Sequence, residues 1–381
     1  MSDLYRSALQ ARISKLPPVP PGPDGDEEEE AADSIGELPS AVKPPASRES
    51  ASRTRAPNPA FAPISAAGYF EQALQVAVPE SGLDFRVYYT APKAADGAVM
   101  VCHHGAGWSA LTFACFAKEV ARQSKGECGV LALDMRGHGK TTSQSQTPVD
   151  KEDLSIDTLM TDFVNLVANV FKDPATTPTL LLVGHSLGGS VIARACPLLQ
   201  ERKYRVGGVA VLDVVEEFTL EALPMMHSLL DTRPDGFNSQ EEAIEWHIKT
   251  RAIRNPDSAR VSVPGIIVQN PNSEPGSFPW VWRTSLRATA PYWTSWFTGL
   301  SSRFLAAKTA RLLVLAGAER LDKELMIGQM QGKYQLAVVP NVGHILHEDD
   351  PQHLAEILVE FWRRNERITV NIKNLKKVGD L

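Results

Sequence analysis

The sequence predicts an α/β fold in which a mostly parallel central sheet is flanked by helices. Short apolar runs at residues 98–102, 130–133, 180–183 and 209–213 alternate with segments of helical composition. Strands that alternate with helices imply right-handed crossovers and parallel pairing. In such sheets functional sites gather at the carboxyl ends of the strands. Ionisable side chains follow several of these runs, so we expect a site at that edge.

The predicted elements of the main domain extend from a sheet edge to a closing helix. Residues 74–78 and 85–89 alternate between apolar and polar side chains, which is typical of an antiparallel edge pair. In chain order, the remaining predicted elements are strand 98–102, helix 109–124, strand 130–133, helix 156–171, strand 180–183, helix 189–196, and strands 209–213, 312–315 and 336–339, followed by helix 352–362.

The two ends of the chain differ in composition from the predicted domain at residues 66–366. Residues 1–65 are rich in proline and include the acidic run 24–30, a composition that buries too little apolar area to offset its ordering entropy. This segment is predicted to be a disordered tail. Residues 4–16 within it fit either a short docking element or a solvated chain. The mildly basic residues 367–381 are predicted to be a second exposed tail.

Within the domain, the alternation of strand and helix stops at residues 217–308, which we interpret as a cap inserted over the carboxyl ends of the strands. Four of the chain's seven tryptophans lie within residues 264–304 of this region: Trp280, Trp282, Trp293 and Trp296. They fit two interpretations, a recognition surface or the small core of the cap itself. The segment 270–277 is predicted to be a flexible loop.

Composition excludes several functional classes. The net charge of -6 and the pI near 5.9 give no electrostatic basis for a nucleic-acid partner. No apolar run approaches the roughly 18 residues of a membrane span. Four cysteines without metal-ligand spacing indicate reduced thiols, and no secretory signal is present at the start. We therefore expect a cytoplasmic or nuclear protein without a membrane partner.

Residues 184–188, with the sequence Gly-His-Ser-Leu-Gly, form the G-x-S-x-G pattern between a strand and a helix. That context predicts a nucleophile elbow, in which the strained turn raises the Ser186 hydroxyl above the sheet edge. The flanking glycines are needed because larger side chains would collide with the neighbouring strand or helix. Ser186 is the candidate nucleophile.

A serine hydroxyl needs a base to accept its proton, and His344 is the candidate. It follows the last predicted strand, which agrees with the chain order serine, acid, histidine. The acid has two candidate positions. Asp213 ends the strand after the elbow helix, whereas Glu319 and Asp322 follow the strand after the cap. Position alone favours the later loop.

The oxyanion hole is predicted to combine the backbone N–H groups of Leu187 and Ala106. Leu187 follows the nucleophile, and Ala106 lies in the sequence His-Gly-Ala-Gly at residues 104–107. Two aimed donors stabilise a tetrahedral intermediate by several kcal/mol. The alternative for residues 104–107 is an ordinary tight turn.

With these residues in place, the chain resembles the protein phosphatase methylesterases, serine hydrolases of the α/β-hydrolase fold. The resemblance covers nearly the whole domain. It rests on the following segments: 183–189 (VGHSLGG), 212–216 (LDVVE), 243–247 (AIEWH), 253–255 (IRN), 258–262 (SARVS), 292–300 (YWTSWFTGL), 315–323 (LAGAERLDK), 327–333 (IGQMQGK) and 343–349 (GHILHED).

The resemblance implies an activity, a partner and an acid. The family removes the methyl ester from the C-terminal leucine of the type 2A phosphatase catalytic subunit, without a cofactor or metal. Its acid falls on Asp213, and residues 321–323 become part of a substrate-contacting or structural surface. It also implies that docking of the phosphatase assembles the pocket. The chain departs from the family in two places: Ala106 replaces a glycine, and the loop 270–277 is shorter than in animal members.

Two other classes of function stay open from the sequence. A generalist esterase or lipase would use the same three residues on small acyl esters without a protein partner. A non-catalytic phosphatase-binding protein would be expected to have lost part of the triad, whereas Ser186, Asp213 and His344 are all present.

Overall fold

The computed structural model describes residues 56–94, 97–144, 153–271, 274–317 and 321–373. Within these ranges the strands are β1 (Gln72–Val78), β2 (Leu83–Thr90), β3 (Ala98–His103), β4 (Cys128–Leu133), β5 (Thr142–Ser143), β6 (Thr179–His185), β7 (Val206–Leu212), β8 (Gly236–Phe237), β9 (Ile267–Gln269), β10 (Trp280–Trp282), β11 (Ala310–Ala316) and β12 (Gln335–Val339).

The α-helices of the same ranges are α1 (Ala114–Gln123), α2 (Ile156–Val170), α3 (Leu187–Glu201), α4 (Glu216–Asp231), α5 (Gln240–Lys249), α6 (Pro256–Ile266), α7 (Trp293–Phe297), α8 (Leu300–Ala306), α9 (Lys323–Met330), α10 (Leu346–Asp349) and α11 (Pro351–Lys373). Short 3-10 helices lie at Pro59–Phe61, Pro79–Ser81, Ala110–Phe113 and Leu286–Tyr292.

The main sheet has the strand order β1-β2-β4-β3-β6-β7-β11-β12, with β5 paired to β2. Strands β1 and β2 pair antiparallel, as do β2 and β4, whereas all neighbours from β4 to β12 run parallel. The predicted α/β fold with a mostly parallel sheet is confirmed. Strands β6 and β7 lie side by side near the centre of the sheet. Their carboxyl ends, at His185 and Leu212, therefore meet at the same edge.

Apolar side chains on the two faces of the sheet form two separate cores. In β3, Val99 and Val101 face one core with α2 and α3, and Met100 and Cys102 face the other with α1 and α11. The strand side chains alternate because successive Cβ atoms point to opposite faces. Every residue of β3 is buried, because both faces of the sheet are covered. This burial explains the continuous apolar run at residues 98–102.

The predicted cap region contains α4 to α8 and a small sheet with the order β8-β10-β9. Its tryptophans pack inward. Trp293 and Trp296 are buried, and Trp296 Nε1 donates to Leu154 O at 2.7 Å. Trp280 and Trp282 are half-buried against the cap core that includes Phe237. Trp280 and Trp282 therefore fit the second interpretation, in which the tryptophans build the core of the cap, whereas Trp293 and Trp296 join a core of the main sheet.

The folded chain begins before the predicted boundary at residue 66. Asn58 caps the 3-10 helix Pro59–Phe61, and Phe61 packs against the cap core. Arg260 binds the same segment twice, since its Nε donates to Ala62 O at 2.7 Å and its carbonyl accepts from Ile64 N at 3.0 Å. Residues 1–55 of the predicted tail lie outside the described residues.

The closing helix is longer than predicted. Helix α11 continues to Lys373, although the sequence predicts an end near residue 362 and an exposed tail from residue 367. Residues 374–381 lie outside the described part of the chain. None of the described helices combines the length and the apolar character that a membrane span requires.

We expect a chain truncated before residue 66 to be less stable than one truncated before residue 56. The shorter chain loses Phe61 from the cap core and both hydrogen bonds to Arg260. Each hydrogen bond contributes about 1 kcal/mol, so the difference is roughly 2 kcal/mol or more, equivalent to a few degrees in Tm. Calorimetry of the two truncations measures it. Identical melting temperatures would show that residues 56–65 contribute nothing to the fold.

Candidate active site

Ser186 lies in a strained turn between β6 and α3. Its backbone has φ 51° and ψ −119°, a conformation that costs of order 1–3 kcal/mol. A Cβ on Gly184 would lie 2.3 Å from Gly188 O, and one on Gly188 would lie 2.2 Å from His103 O. Glycine is therefore required at both positions. The Ser186 side chain is half-buried at the carboxyl edge of the sheet, as the elbow prediction places it.

The loop after β3 is held beside this turn by buried imidazoles. His104 Nε2 accepts from Met135 N at 3.0 Å, and its Nδ1 donates to Gly105 O at 2.7 Å. His138 Nε2 accepts from Gly107 N at 2.9 Å. Burial lowers the pKa of His138 to about 4 and that of His104 well below its ordinary value, so both rings stay neutral and act as acceptors.

The two amides predicted to form the oxyanion hole are available as donors. Among the described residues, the N–H groups of Ala106 and Leu187 donate to no acceptor, whereas Gly107 N is used by His138 and Trp108 N by Gly105 O. Leu187 is the first residue of α3, so its amide also lies at the positive end of the helix dipole.

Asp213 lies directly after β7 and binds His344. His344 Nδ1 donates to Asp213 Oδ2 at 2.7 Å, and the other carboxylate oxygen accepts from Ala316 N at 2.8 Å. The bond at Nδ1 selects the tautomer whose Nε2 lone pair can accept a proton. The Asp213 side chain is 6% exposed and that of His344 is 41% exposed, so a buried anion orients an accessible base.

The loop that carries His344 is held by Asp349. Asp349 Oδ2 accepts from Gly343 N at 2.7 Å, and its Oδ1 accepts from Arg254 N at 2.7 Å. In the sequence, Asp349 belongs to the family motif at residues 343–349, and the motif alone indicates no role for it. The spacing of six residues between Gly343 and Asp349 is the signal that could have indicated a local turn.

Asp322, the candidate acid in the later loop, has a structural role instead. Asp322 caps α9, since its Oδ1 accepts from Leu325 N at 2.8 Å and its Oδ2 accepts from Ser301 Oγ at 2.5 Å. Position alone favoured this loop, but the structure brings Asp213 rather than Asp322 to His344. Glu319, the other candidate there, lies outside the described residues. Within the described part of the chain, no group of three His, Cys, Asp or Glu side chains could hold a metal ion.

The fold and this constellation define a class of enzyme. Residues 100–357 match the model of the alpha/beta hydrolase family, and the chain belongs to that family. E-2-(acetamidomethylene)succinate hydrolase superposes with a TM-score of 0.60 at 16% identity, over 76% of this chain and 98% of that one. A marine microorganism esterase gives 0.52 at 16% identity, over 73% and 98%. At these identities the likeness concerns the fold alone.

Sequence relatives identify the family within this class of hydrolases. The chain is 44% identical to protein phosphatase methylesterase 1 of Cryptococcus neoformans var. neoformans serotype D, over 97% of this chain and 94% of the relative. It is 46% identical to that of Gibberella zeae, over 82% and 77%, and 42% identical to that of Schizosaccharomyces pombe, over 79% and 85%. The protein belongs to the protein phosphatase methylesterase family and is a carboxylic-ester hydrolase.

Replacing each candidate acid by its amide separates their roles. We expect Asp213→Asn to preserve the fold and lower turnover by roughly three to four orders of magnitude, because an amide no longer selects the tautomer of His344. Asp322→Asn should affect turnover far less. It should lower stability, because an amide nitrogen replaces one of the two carboxylate oxygens that accept from Leu325 N and Ser301 Oγ. Single-turnover kinetics and thermal unfolding of both variants test this. A normal Asp213→Asn beside an inactive Asp322→Asn would return the acid to the later loop.

Buried neutral histidines should make the protein sensitive to acid. Burial lowers the pKa of His103 and His138 to about 4 and of His247 and His347 to about 3, and it lowers the pKa of His104 and His185 well below the ordinary value. The unfolded chain binds protons at these sites near pH 6.5, so their contribution to stability is present above that pH and is lost as pH falls toward 4.

Three buried acids oppose this trend. Burial raises the pKa of Asp134 to about 6, that of Glu348 well above its ordinary value, and that of Asp349 as well, so the native state retains protons there as pH rises. Six histidines outweigh three acids, and we expect the free energy of unfolding to fall by about 1.4 kcal/mol per pH unit for each net proton between pH 6.5 and 4. Denaturant titrations across this range measure the slope, and a flat profile would contradict it.

Proposed function

We propose that the protein hydrolyses the methyl ester of the C-terminal leucine on the catalytic subunit of a type 2A protein phosphatase. The hydrogen bond between His344 Nδ1 and Asp213 Oδ2 at 2.7 Å carries this proposal, since it prepares the base needed for ester cleavage. The family supplies the identity of the substrate, because the curated relatives are named for methylesterase activity on a protein phosphatase.

The reaction proceeds through an acyl-enzyme. His344 Nε2 accepts the proton of Ser186 as Oγ attacks the ester carbonyl, and the amides of Leu187 and Ala106 bind the oxyanion. The tetrahedral intermediate collapses when the C–O bond to methanol breaks and His344 returns its proton to the departing oxygen. Water, deprotonated by His344, then attacks the acyl-enzyme and releases the leucine carboxylate and Ser186. The chain's own residues complete every step of this cycle.

The cap supports a restricted substrate. A Cβ on Gly107 would lie 2.9 Å from Leu286 Cδ1, so the cap touches the oxyanion loop directly. Thr284 Oγ1 donates to Gly137 O at 2.9 Å and binds the cap to the loop after β4. A cap in contact with the oxyanion loop favours a slender chain terminus over bulky lipid esters.

We place the reaction in the cytoplasm or nucleus. All four cysteines are free, and three of them are buried while Cys115 is partly exposed. Unpaired thiols are typical of reducing compartments.

Incubation with carboxymethylated phosphatase, followed by mass measurement of its C-terminal peptide, tests the proposal. We expect the peptide to lose 14 Da, the difference between a methyl ester and an acid, and methanol to appear. Rapid cleavage of short acyl esters combined with an unchanged phosphatase peptide would instead show a generalist esterase. Binding of the phosphatase without any cleavage would show a non-catalytic partner.

The Ser186→Ala variant should lower the rate of demethylation by roughly six orders of magnitude and keep the fold. Removing one hydroxyl from a half-buried position leaves the core intact, whereas the acyl-enzyme can no longer form. Rates are compared with those of the unchanged chain at equal phosphatase concentration, and thermal unfolding serves as the control. Full activity in a folded Ser186→Ala protein would exclude Ser186 as the nucleophile.

A further inference from the structure

His185 precedes the nucleophile, and its side chain is directed into the fold. The residue is 1% exposed, and its ring centroid lies 4.6 Å from that of His344. Its Nε2 lies 2.8 Å from the main-chain oxygen of His344. A carbonyl oxygen only accepts, so the imidazole must carry its proton on Nε2 and donate it there. The residue beside the nucleophile thus binds the backbone of the candidate base.

The second nitrogen of His185 faces the oxyanion loop. Its Nδ1 is buried and has no hydrogen-bond partner among the described residues. A Cβ on Gly105 would lie 2.9 Å from this nitrogen and 3.2 Å from Ser186 Cβ. The main chain at Gly105 therefore packs against the ring, and only glycine permits that approach. One imidazole touches the elbow, the oxyanion loop and the loop of the base.

The surroundings of His185 require it to be neutral. Burial lowers its pKa well below the ordinary value, and the neighbouring rings of His344, His347 and His104 act in the same direction. His347 lies 4.6 Å away, stacks on Phe113 and binds Thr112 Oγ1 at 3.1 Å, which limits movement of the His185 ring. A second proton on Nδ1 would meet no acceptor among the described residues.

We propose that His185 is a positioning residue for His344. By holding the main-chain oxygen of His344, it sets the distance between the base and Ser186 while it supports Gly105 from behind. The hydrogen bond from His344 Nδ1 to Asp213 would by itself leave the His344 ring free to move with its loop. Asp349 restrains that loop before His344, at Gly343, and His185 restrains it at His344 itself. A displacement of about 1 Å in such an arrangement costs about 100-fold in rate.

This inference rests on the proposed esterase reaction, so its test uses two readouts. One is demethylation of the phosphatase, and the other is labelling of Ser186 by a fluorophosphonate, which requires the base and oxyanion hole but no phosphatase. We compare His185→Leu, which removes the donor at similar volume, with His185→Gln, whose amide can donate to the same oxygen. If demethylation is absent in the unchanged chain but labelling is present, the substrate proposal fails and the test of His185 still proceeds.

His247→Leu is the matched control. His247 is 2% exposed, neutral and bonded through Nδ1 to Ala243 O at 2.8 Å, but its ring packs against Trp246 and Trp282 of the cap. We expect His185→Leu to lower kcat and the labelling rate by about 10- to 100-fold with KM within about twofold. His185→Gln should recover most of that loss, and His247→Leu should keep kcat despite a similar fall in Tm.

Equal losses in the Leu and Gln variants of His185, a loss in His247→Leu as large as in His185→Leu, or full activity in a folded His185→Leu protein would overturn the proposal. If the variants do not fold, nitrogen NMR of the full chain labelled with ¹⁵N-histidine decides. The proposal predicts a neutral His185 protonated on Nε2 throughout pH 6–9. A proton on Nδ1, or titration within that range, would contradict it.

Discussion

The buried carboxylate of Asp213 connects the sheet to the catalytic chemistry. Both of its oxygens are occupied, one by His344 Nδ1 and the other by the amide of Ala316, and its own amide donates to Val314 O at 2.8 Å. Strand β11 therefore fixes the acid at its backbone and its side chain. A buried anion without these donors would be costly, so the position of the base depends on the pairing of β7 with β11.

The nucleophile shares this framework. Ser186 N donates to Leu212 O at 3.0 Å, which places the elbow and the acid on adjacent strands in the register His185 to Leu212. The candidate nucleophile and the candidate acid thus follow one parallel pair of strands, while the candidate base lies on a loop. The loop needs its own restraints, and Asp349 and His185 contact it at consecutive residues. Preorganisation of this kind is the source of catalytic rate in acyl transfer.

Local patterns in the sequence predict the elbow at Ser186 and the candidate base His344. The glycines around Ser186 have a direct steric reason, since a Cβ at either position would overlap the backbone of a neighbouring segment. The acid could not be decided by position, because the loops after β7 and β11 end at the same edge. The choice depends on the positive φ of Asp213, 51°, and on the Ala316 amide, neither of which local composition reveals. The family resemblance supplied what position did not.

Other contributions arise only from contacts between distant segments. Glu216 accepts from Gly299 N and Ser301 N at 2.6 and 2.9 Å, and so connects the end of the cap to the loop that carries Asp213. Ser301 in turn binds Asp322, which caps α9. The start of the fold depends on Arg260, which is about 200 residues away from Ala62. Hydrophobic periodicity contains no record of such pairs, which explains why these roles were not predicted and why the expected domain start at residue 66 leaves out the segment that Arg260 binds.

The central claim is that Ser186 and Asp213 act through His344 as one unit, and a double-variant cycle tests it most directly. Single-turnover demethylation is measured for Ser186→Ala, Asp213→Asn and the combined variant, each verified as folded. When residues act together in one step, the losses in rate from their single variants do not add. The combined variant should therefore be no slower than Ser186→Ala alone. If the fold-losses in rate of the two single variants multiply in the combined variant, Ser186 and Asp213 act independently. That result would contradict a site in which Asp213 acts through its hydrogen bond to His344.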